Sequence, residues 1–423
     1  MALAVAAVSA CDDGTTAPRP KTNLSVDFCA GDIPAWFAVQ NEGEGWQQVS
    51  GNSSGTFTFE AASKVSIAFV TVNGSSYSTD VLNLTRDELQ DISGKACQEV
   101  SGSKSVGGTV AGITGQQVVR LSMAHAVAGA TASNTSYNFT GLPDGPLDLV
   151  ATRRATSSTE PPDRIIVRRN LNLQSGATIP VVDFATTEAQ PLSTATVTVA
   201  NRGSDFVDLG TQFLSATGTE HQLMQLTSSD ASAFTFVSVP TALRGPNDLH
   251  LLTAIASAAS GTREVSQYYG SPSDRTLTFG PTLSAPSMSI ASMTPYVRPR
   301  LTVVSQAEYG TAMEAFFSQL SGASFRTVRI FTSAAFLGGR PSSWTLDMPD
   351  LSAAGYQNTW AFPNTALLNA NARGFDASTT AILGGAPADG LTIKSAIRGT
   401  TTIVALARSS VSPRLSSSWR IGR

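Results

Sequence analysis

Residues 137–151 read YNFTGLPDGPLDLVA, and the pattern returns at residues 234–254 as FTFVSVPTALRGPNDLHLLTA. Each copy holds an aromatic residue, one intervening position and Phe, then an apolar residue and Pro. Gly-Pro follows, and Asp-Leu opens the next apolar run. Period-two alternation sends Tyr137 and Phe139, or Phe234 and Phe236, to one side of an extended chain. Pro and Gly break the run before a second alternating segment returns. The pattern predicts a hairpin with an inward aromatic pair. TFTFEAASKVSIAFV at 56–70 and WTLDMPDLSAAGY at 344–356 are weaker copies that lack Gly-Pro. Four such units predict roughly four β-sandwich modules in tandem.

Further alternation runs through ATVTVAN (195–201), RLTVVSQ (300–306), FRTVRIF (325–331) and TTTIVALARS (400–409). Val, Thr, Ile and Phe dominate these runs, and Gly, Pro, Asn and Ser separate them. The expected fold class is therefore all-β. Helix signals are few. Thr85-Arg86-Asp87-Glu88 has the form of a capping box opening a short helix. EYGTAMEAFFSQL at 308–320 fits helix and strand equally well. Gly/Ser-rich and Pro-rich gaps divide the chain into segments 23–100, 104–188, 192–286 and 294–423.

The chain has 423 residues, enough for two to four domains. Hydrophobic residues make up 41% and mean hydropathy is +0.03, values of folded modules rather than disorder. Charged residues are only 14% and net charge is −3, which leaves no electrostatic footprint for nucleic acid. The densest Arg cluster, Arg164, Arg168 and Arg169, is accounted for by positions along a strand.

Three Cys organise the expected location. Ala2–Ala10 is a short apolar run, and Val8-Ser9-Ala10-Cys11 resembles a bacterial lipobox, which implies lipid attachment at Cys11. Residues 1–10 would then be a lipoprotein signal and 11–22 a polar tether. No Lys or Arg precedes the apolar run, so the natural start is expected upstream, with a basic region missing here. Cys29 and Cys97 remain as a pair, and an oxidising compartment predicts a disulfide between them. A loop of that length would stabilise the fold by about 4 kcal/mol. Neither Cys has a further Cys or His at ligand spacing, so no metal site is expected.

GGTVAGITGQQVVRLSM followed by YNFTGLPDGPLDLVATR is similar to carboxypeptidase regulatory-like domains. The shared features are Gly108-Thr109-Val110-Ala111-Gly112 and the Phe-x-Gly-Leu-Pro-x-Gly run from Phe139 to Gly145. The resemblance covers about residues 104–188. It implies a transthyretin-like (prealbumin-like) sandwich with an accessory rather than catalytic role.

Candidate sites are sparse. Gly51-Asn52-Ser53-Ser54-Gly55 fits a nucleophile elbow, but a strand follows where a helix is required, so a turn is expected. Ser101-Gly102-Ser103-Lys104 fits S-x-x-K without its partner motifs. His125, His221 and His250 have no metal-binding spacing and are expected as isolated strand residues. In CAGDIPAWFAVQNEGEGWQQV (29–49) two short strands flank the loop NEGEG. Alternation puts at least one Trp near the surface, so Trp36, Trp46, Glu42 and Glu44 are candidate ligand contacts. The alternative is core packing of both Trp. Two carboxylates fall short of a calcium site.

The combined expectation is a lipid-anchored protein of the bacterial cell envelope, membrane-anchored on the periplasmic or outer surface. It needs no cofactor and acts by glycan or peptide binding, in adhesion, or as a scaffold. An exported hydrolase built around Arg326, Arg329, Arg340, Asp347, Asp350 and Trp360 is the second expectation. A subunit of an envelope assembly is the third.

Overall fold

A computed structural model of the chain describes residues 21–28, 33–93, 102–155, 161–228, 231–364, 367–384 and 387–402. The fold is all-β, with 57% of residues in strands and 5% in helices.

Residues 22–93 form β1 (Thr22–Asp27), β2 (Trp36–Asn41), β3 (Gln47–Gln48), β4 (Thr56–Ala61), β5 (Lys64–Asn73), β6 (Ser76–Thr85) and helix α1 (Arg86–Ser93). β1 and β4 make a small sheet, and β6-β5-β2-β3 lie side by side in a larger one. The capping box is formed: Glu88 Oε2 accepts from Thr85 N at 2.8 Å, and Glu88 N donates to Thr85 Oγ1 at 3.3 Å.

Residues 104–191 form β7 (Lys104–Ala111), β8 (Val118–Met123), β9 (Ala126–Thr131), β10 (Ser136–Leu142), β11 (Leu147–Arg154), β12 (Arg164–Leu171), β13 (Thr178–Asp183) and β14 (Gln190–Pro191). The small sheet is β10-β7-β13 and the larger is β14-β12-β11-β8-β9.

Next come β15 (Ser193–Ala200), β16 (Phe206–Leu214), β17 (Glu220–Ser228), β18 (Ala233–Ser238), β19 (Leu249–Ala258), β20 (Gly261–Tyr269) and β21 (Arg275–Thr278). The order repeats that of the preceding stretch, with β18-β15-β21 small and β17-β16-β19-β20 large.

The last stretch holds β22 (Ser287–Ser292), β23 (Arg298–Val304), β24 (Ala312–Ser321), β25 (Ser324–Ser333), β26 (Ser343–Asp347), β27 (Leu368–Asp376), helix α2 (Thr379–Ile382) and β28 (Thr392–Thr402). Here β22-β23-β26 is small and β28-β27-β24-β25 large. The ambiguous run at 308–320 is therefore mostly strand.

The repeated motif is not a hairpin. β10 lies in a small sheet and β11 in a large one, and the same holds for β18 and β19, β4 and β5, and β26 and β27. The motif is where the chain crosses the core. Alternation aims both strands inward in either geometry, because strands paired edge to edge and strands stacked about 10 Å apart share one buried side. The Pro and Gly-Pro elements serve the step between layers.

Three of the large sheets fuse. β20 pairs antiparallel with β28, from Thr262↔Ile397 to Gln267↔Thr392. β25 pairs parallel with β6, from Phe325↔Ser76 to Thr332↔Asn83. The result is one twelve-stranded sheet, β17-β16-β19-β20-β28-β27-β24-β25-β6-β5-β2-β3. The cores cross the sequence segments accordingly. Val150 and Ile165 pack with Phe213 and Leu252, and Trp36 and Val81 with Trp344 and Phe317.

Rows of paired residues define the two faces of this sheet. Phe37, Phe69, Asp80 and Arg329 align on one face, and Trp36, Val70, Thr79 and Val328 on the other. β1 and β4 cover the Phe37 side through Leu24, Val26, Phe57 and Phe59. β23 and β26 cover the Trp36 side through Leu301, Val303, Trp344 and Leu346. The row Met313, Gly374, Ala396, Arg263, Ala256 carries that second face onward to β19. There β15 and β18 cover it through Val197, Val199 and Phe236. On the first face, Ala312 of β24 and Phe375 of β27 still pack in the β1–β4 cluster, whereas no first-face residue of β28, β20, β19 or β16 shares a hydrophobic cluster with another sheet among the described residues.

Candidate functional site

The expected contacts in the 36–46 hairpin part company. β2 and β3 do pair, Ala38↔Gln48 and Val39↔Gln47, and Gly43 takes a φ of 81° in the loop. Trp36, however, is 3% exposed and its Nε1 donates to Ala354 O at 2.8 Å. Tyr356 stands edge-on to it and Trp360 tilts against it. As a ligand contact Trp36 is thus corrected to a core residue, because sheets cover both sides of β2. Trp46 is half-buried against the same core.

Glu42 is exposed and pairs with Lys64 at 3.5 Å, on the rim of a hollow of about 330 Å³ that Gln40, Ser66 and Leu337 also line. Glu44 pairs with Lys21 at 2.6 Å, and that hydrogen bond holds its carboxyl below the usual range. Cys11, Cys29, Cys97 and Ser101 lie outside the described residues.

The hydrolase set does not converge. Arg326 and Arg329 sit on opposite faces of β25: Arg326 Nε donates to Thr359 O, and Arg329 pairs with Glu314. Asp347 forms a two-pronged pair with Arg300 at 2.6 and 2.5 Å. Asp350 accepts from Ser352 at 2.6 Å, Arg340 is exposed, and Trp360 is buried. Ser53 lies in an exposed turn folded around Asn52 Oδ1, which accepts from Ser54 N and Thr56 N.

His221 is fully buried, with Nδ1 2.9 Å from Ser122 Oγ and Nε2 2.8 Å from Thr152 Oγ1. Burial, reinforced by Arg120 and Arg154, pushes it down to about 3, so it is neutral. Ser122 and Thr152 are also fully buried, so no substrate reaches this Ser–His contact. His250 is likewise pushed down to about 3 by burial. Its Nε2 accepts from Val239 N at 3.0 Å, and its ring stacks on Tyr269 at 4.8 Å. Among the described residues, no group of three or more His, Cys, Asp or Glu is placed to hold a metal.

The arrangement with the most chemistry lies where the open face meets the β8–β9 hairpin. A groove of about 350 Å³ has Gln212, Gln222, Leu251 and Thr253 on its sheet side and Arg120, His125 and Val127 on its hairpin side. Glu220 also lines it and accepts from Gln212 Nε2 at 3.0 Å. Arg120 is half-buried, which lowers its guanidinium below the usual range, and its Nε has no acceptor. Among the described residues no carboxylate pairs with it. Arg154, 7% exposed just behind, adds a second positive charge.

From this groove a polar stripe runs along the same face toward the part that β1 and β4 cover. Thr253 Oγ1 meets Ser266 Oγ at 2.9 Å, and Ser266 Oγ donates to Glu264 at 3.3 Å. Arg373 Nη2 donates to Glu264 Oε2 at 2.9 Å. Arg373 stands opposite Glu314, which accepts from Arg329 Nε at 2.6 Å, and Arg329 stands opposite Asp80. Burial pushes Asp80 up to about 6, opposed by the charge of Arg329 and assisted by that of Glu314.

Sequence reasoning missed the groove and stripe because their residues come from ten strands, and each one alone looks like an ordinary strand position. No family model matches the chain, and no curated protein matches it.

Proposed function

We propose that this chain is a lipid-anchored protein of the bacterial cell envelope that binds an envelope or extracellular ligand without chemical turnover. The observation that carries the binding role is the polar outer face of β28, β20, β19 and β16, which ends in a groove holding a guanidinium without a carboxylate partner among the described residues. The anchor rests on Val8-Ser9-Ala10-Cys11 and the polar tether after it. In this reading Cys29 and Cys97 form a disulfide, and the recurring strand orders are tandem modules. The one spanning 104–188 is a carboxypeptidase regulatory-like sandwich, a reading supported by its three-strand sheet facing β9-β8-β11-β12.

Membrane fractionation tests the anchor. The wild-type chain is expected with the membranes and Cys11→Ser in the soluble fraction, and equal retention of both would remove the anchor. Binding is tested by screening the purified full chain on glycan and peptide arrays. A chain that captures nothing there but co-purifies in fixed ratio with other envelope proteins is instead an assembly subunit.

A further inference from the structure

The groove at Arg120 identifies a ligand class, and we infer that it takes the carboxylate of an acidic saccharide, a hexuronate-containing oligosaccharide. This deepens the binding role above and is independent of the lipid anchor.

The argument begins with charge. A half-buried guanidinium without a counter-ion is costly, and a second guanidinium close by raises that cost. The cost falls when an anion enters, and Arg offers a planar fork that matches a carboxylate. Glu220 lines the same groove, yet its carboxylate is engaged by Gln212 and forms no ion pair with Arg120. The anion must therefore come from outside.

The rest of the lining selects among anions. Glu220, Gln212, Gln222 and Thr253 offer both acceptors and donors, as a ring with several hydroxyls requires, since each hydroxyl both gives and takes a hydrogen bond. Leu251 and Val127, the latter 51% exposed, supply apolar surface for the C–H face of the ring. A volume of about 350 Å³ is at the small end of ligand sites and matches one or two rings.

The stripe argues for a polymer. Its solvent-reaching part leads from β19 to β27 over three strand steps, roughly 14 Å at about 4.8 Å each, before Arg329 and Asp80 become buried. Its interior strands have both edges paired, so only side chains are available to a ligand, and an extended peptide would find no main-chain partners. Thr253, Glu264 and Arg373 instead present hydroxyl, carboxylate and guanidinium groups in turn. This favours a polyhydroxylated chain over an acidic peptide.

The test uses the full chain carrying Cys11→Ser, titrated calorimetrically with hexuronate oligosaccharides, with the same oligosaccharides after reduction of their carboxyls, and with a Glu-rich peptide. The uronate is expected to bind at least tenfold more tightly than its reduced form, and Arg120→Gln to weaken it at least tenfold while the melting temperature of the free protein holds or rises. Gln222→Ala, on the opposite wall, should weaken it several-fold. Equal binding of the reduced sugar, unchanged affinity in Arg120→Gln, preference for the peptide, or no uronate binding at all would each overturn the inference. If the chain ignores uronates yet captures another array ligand, the binding role survives and only this assignment falls.

Discussion

Asp148 and Asp248 hold the same place in the two full copies of the repeated motif, and they meet at a single guanidinium, that of Arg169. The distances are 2.9 Å from Nη1 to Asp148 Oδ2 and 2.6 Å from Nη2 to Asp248 Oδ2. Both carboxylates are buried, and each also accepts from backbone: Asp148 from Asn170 N, Asp248 from Gly245 N and Ala216 N. One cation thus joins two crossings of the core that lie a hundred residues apart in sequence.

Arg169→Met leaves two buried carboxylates facing each other, and it should cost about 3–5 kcal/mol, the usual result of breaking a buried pair. Urea unfolding measures this. Adding Asp148→Asn and Asp248→Asn to Arg169→Met should recover part of the loss. A variant with an unchanged midpoint would show that the shared cation is dispensable.

Asp80 makes stability depend on pH in one direction. Its carboxyl is raised in the fold to about 6, above its ordinary value of 3.8, so the protonated form suits the folded state. Its contribution is full below the unfolded value and is lost as pH rises through about 6, at up to roughly 1.4 kcal/mol per pH unit. Asp80→Asn should therefore be more stable relative to wild type at pH 7 than at pH 4. Denaturant midpoints across that range would show a flatter profile in the variant.

His221 works with the opposite sign. Its folded value near 3 lies below its ordinary 6.5, so its contribution is present above pH 6.5 and fades as pH falls toward 3. His221→Gln, whose amide can still meet Ser122 and Thr152, should lose stability less steeply between pH 6 and pH 4. The slope difference should approach one proton taken up on unfolding, and identical slopes would refute the assignment.

Trp36 and Trp46 should separate by size of effect. Trp36→Ala opens a cavity and orphans the Ala354 carbonyl, so a loss of about 3–5 kcal/mol is expected. Trp46→Ala, at a half-buried position, should cost about 1 kcal/mol or less. Thermal or urea unfolding of the two variants distinguishes them.

Much of the local structure was legible in the residues. TFTFEA became β4 with Phe57, Phe59 and Ala61 inward, and the capping box at Thr85 opens α1. Alternation cannot say which neighbour a strand takes, since that depends on surfaces brought together by folding. For this reason the crossings looked like hairpins. It also assumes that a strand has one wet side. β2 has none, because β1 and β4 cover one side and β23 and β26 the other. Trp36 and Phe37 are consequently both buried, although they point in opposite directions.

The parallel seam between β6 and β25 has a cost during manufacture. Asn83 Nδ2 donates to Thr332 Oγ1 at 2.9 Å, yet 249 residues separate the two. At about 5–20 residues per second, ribosomes need roughly 12–50 s to deliver the second half of that seam after the first. Throughout that interval the outer rim of β6 offers bare amides and carbonyls to any passing nascent chain. The seam that joins the finished molecule therefore leaves the growing one open to aggregation until its last quarter arrives.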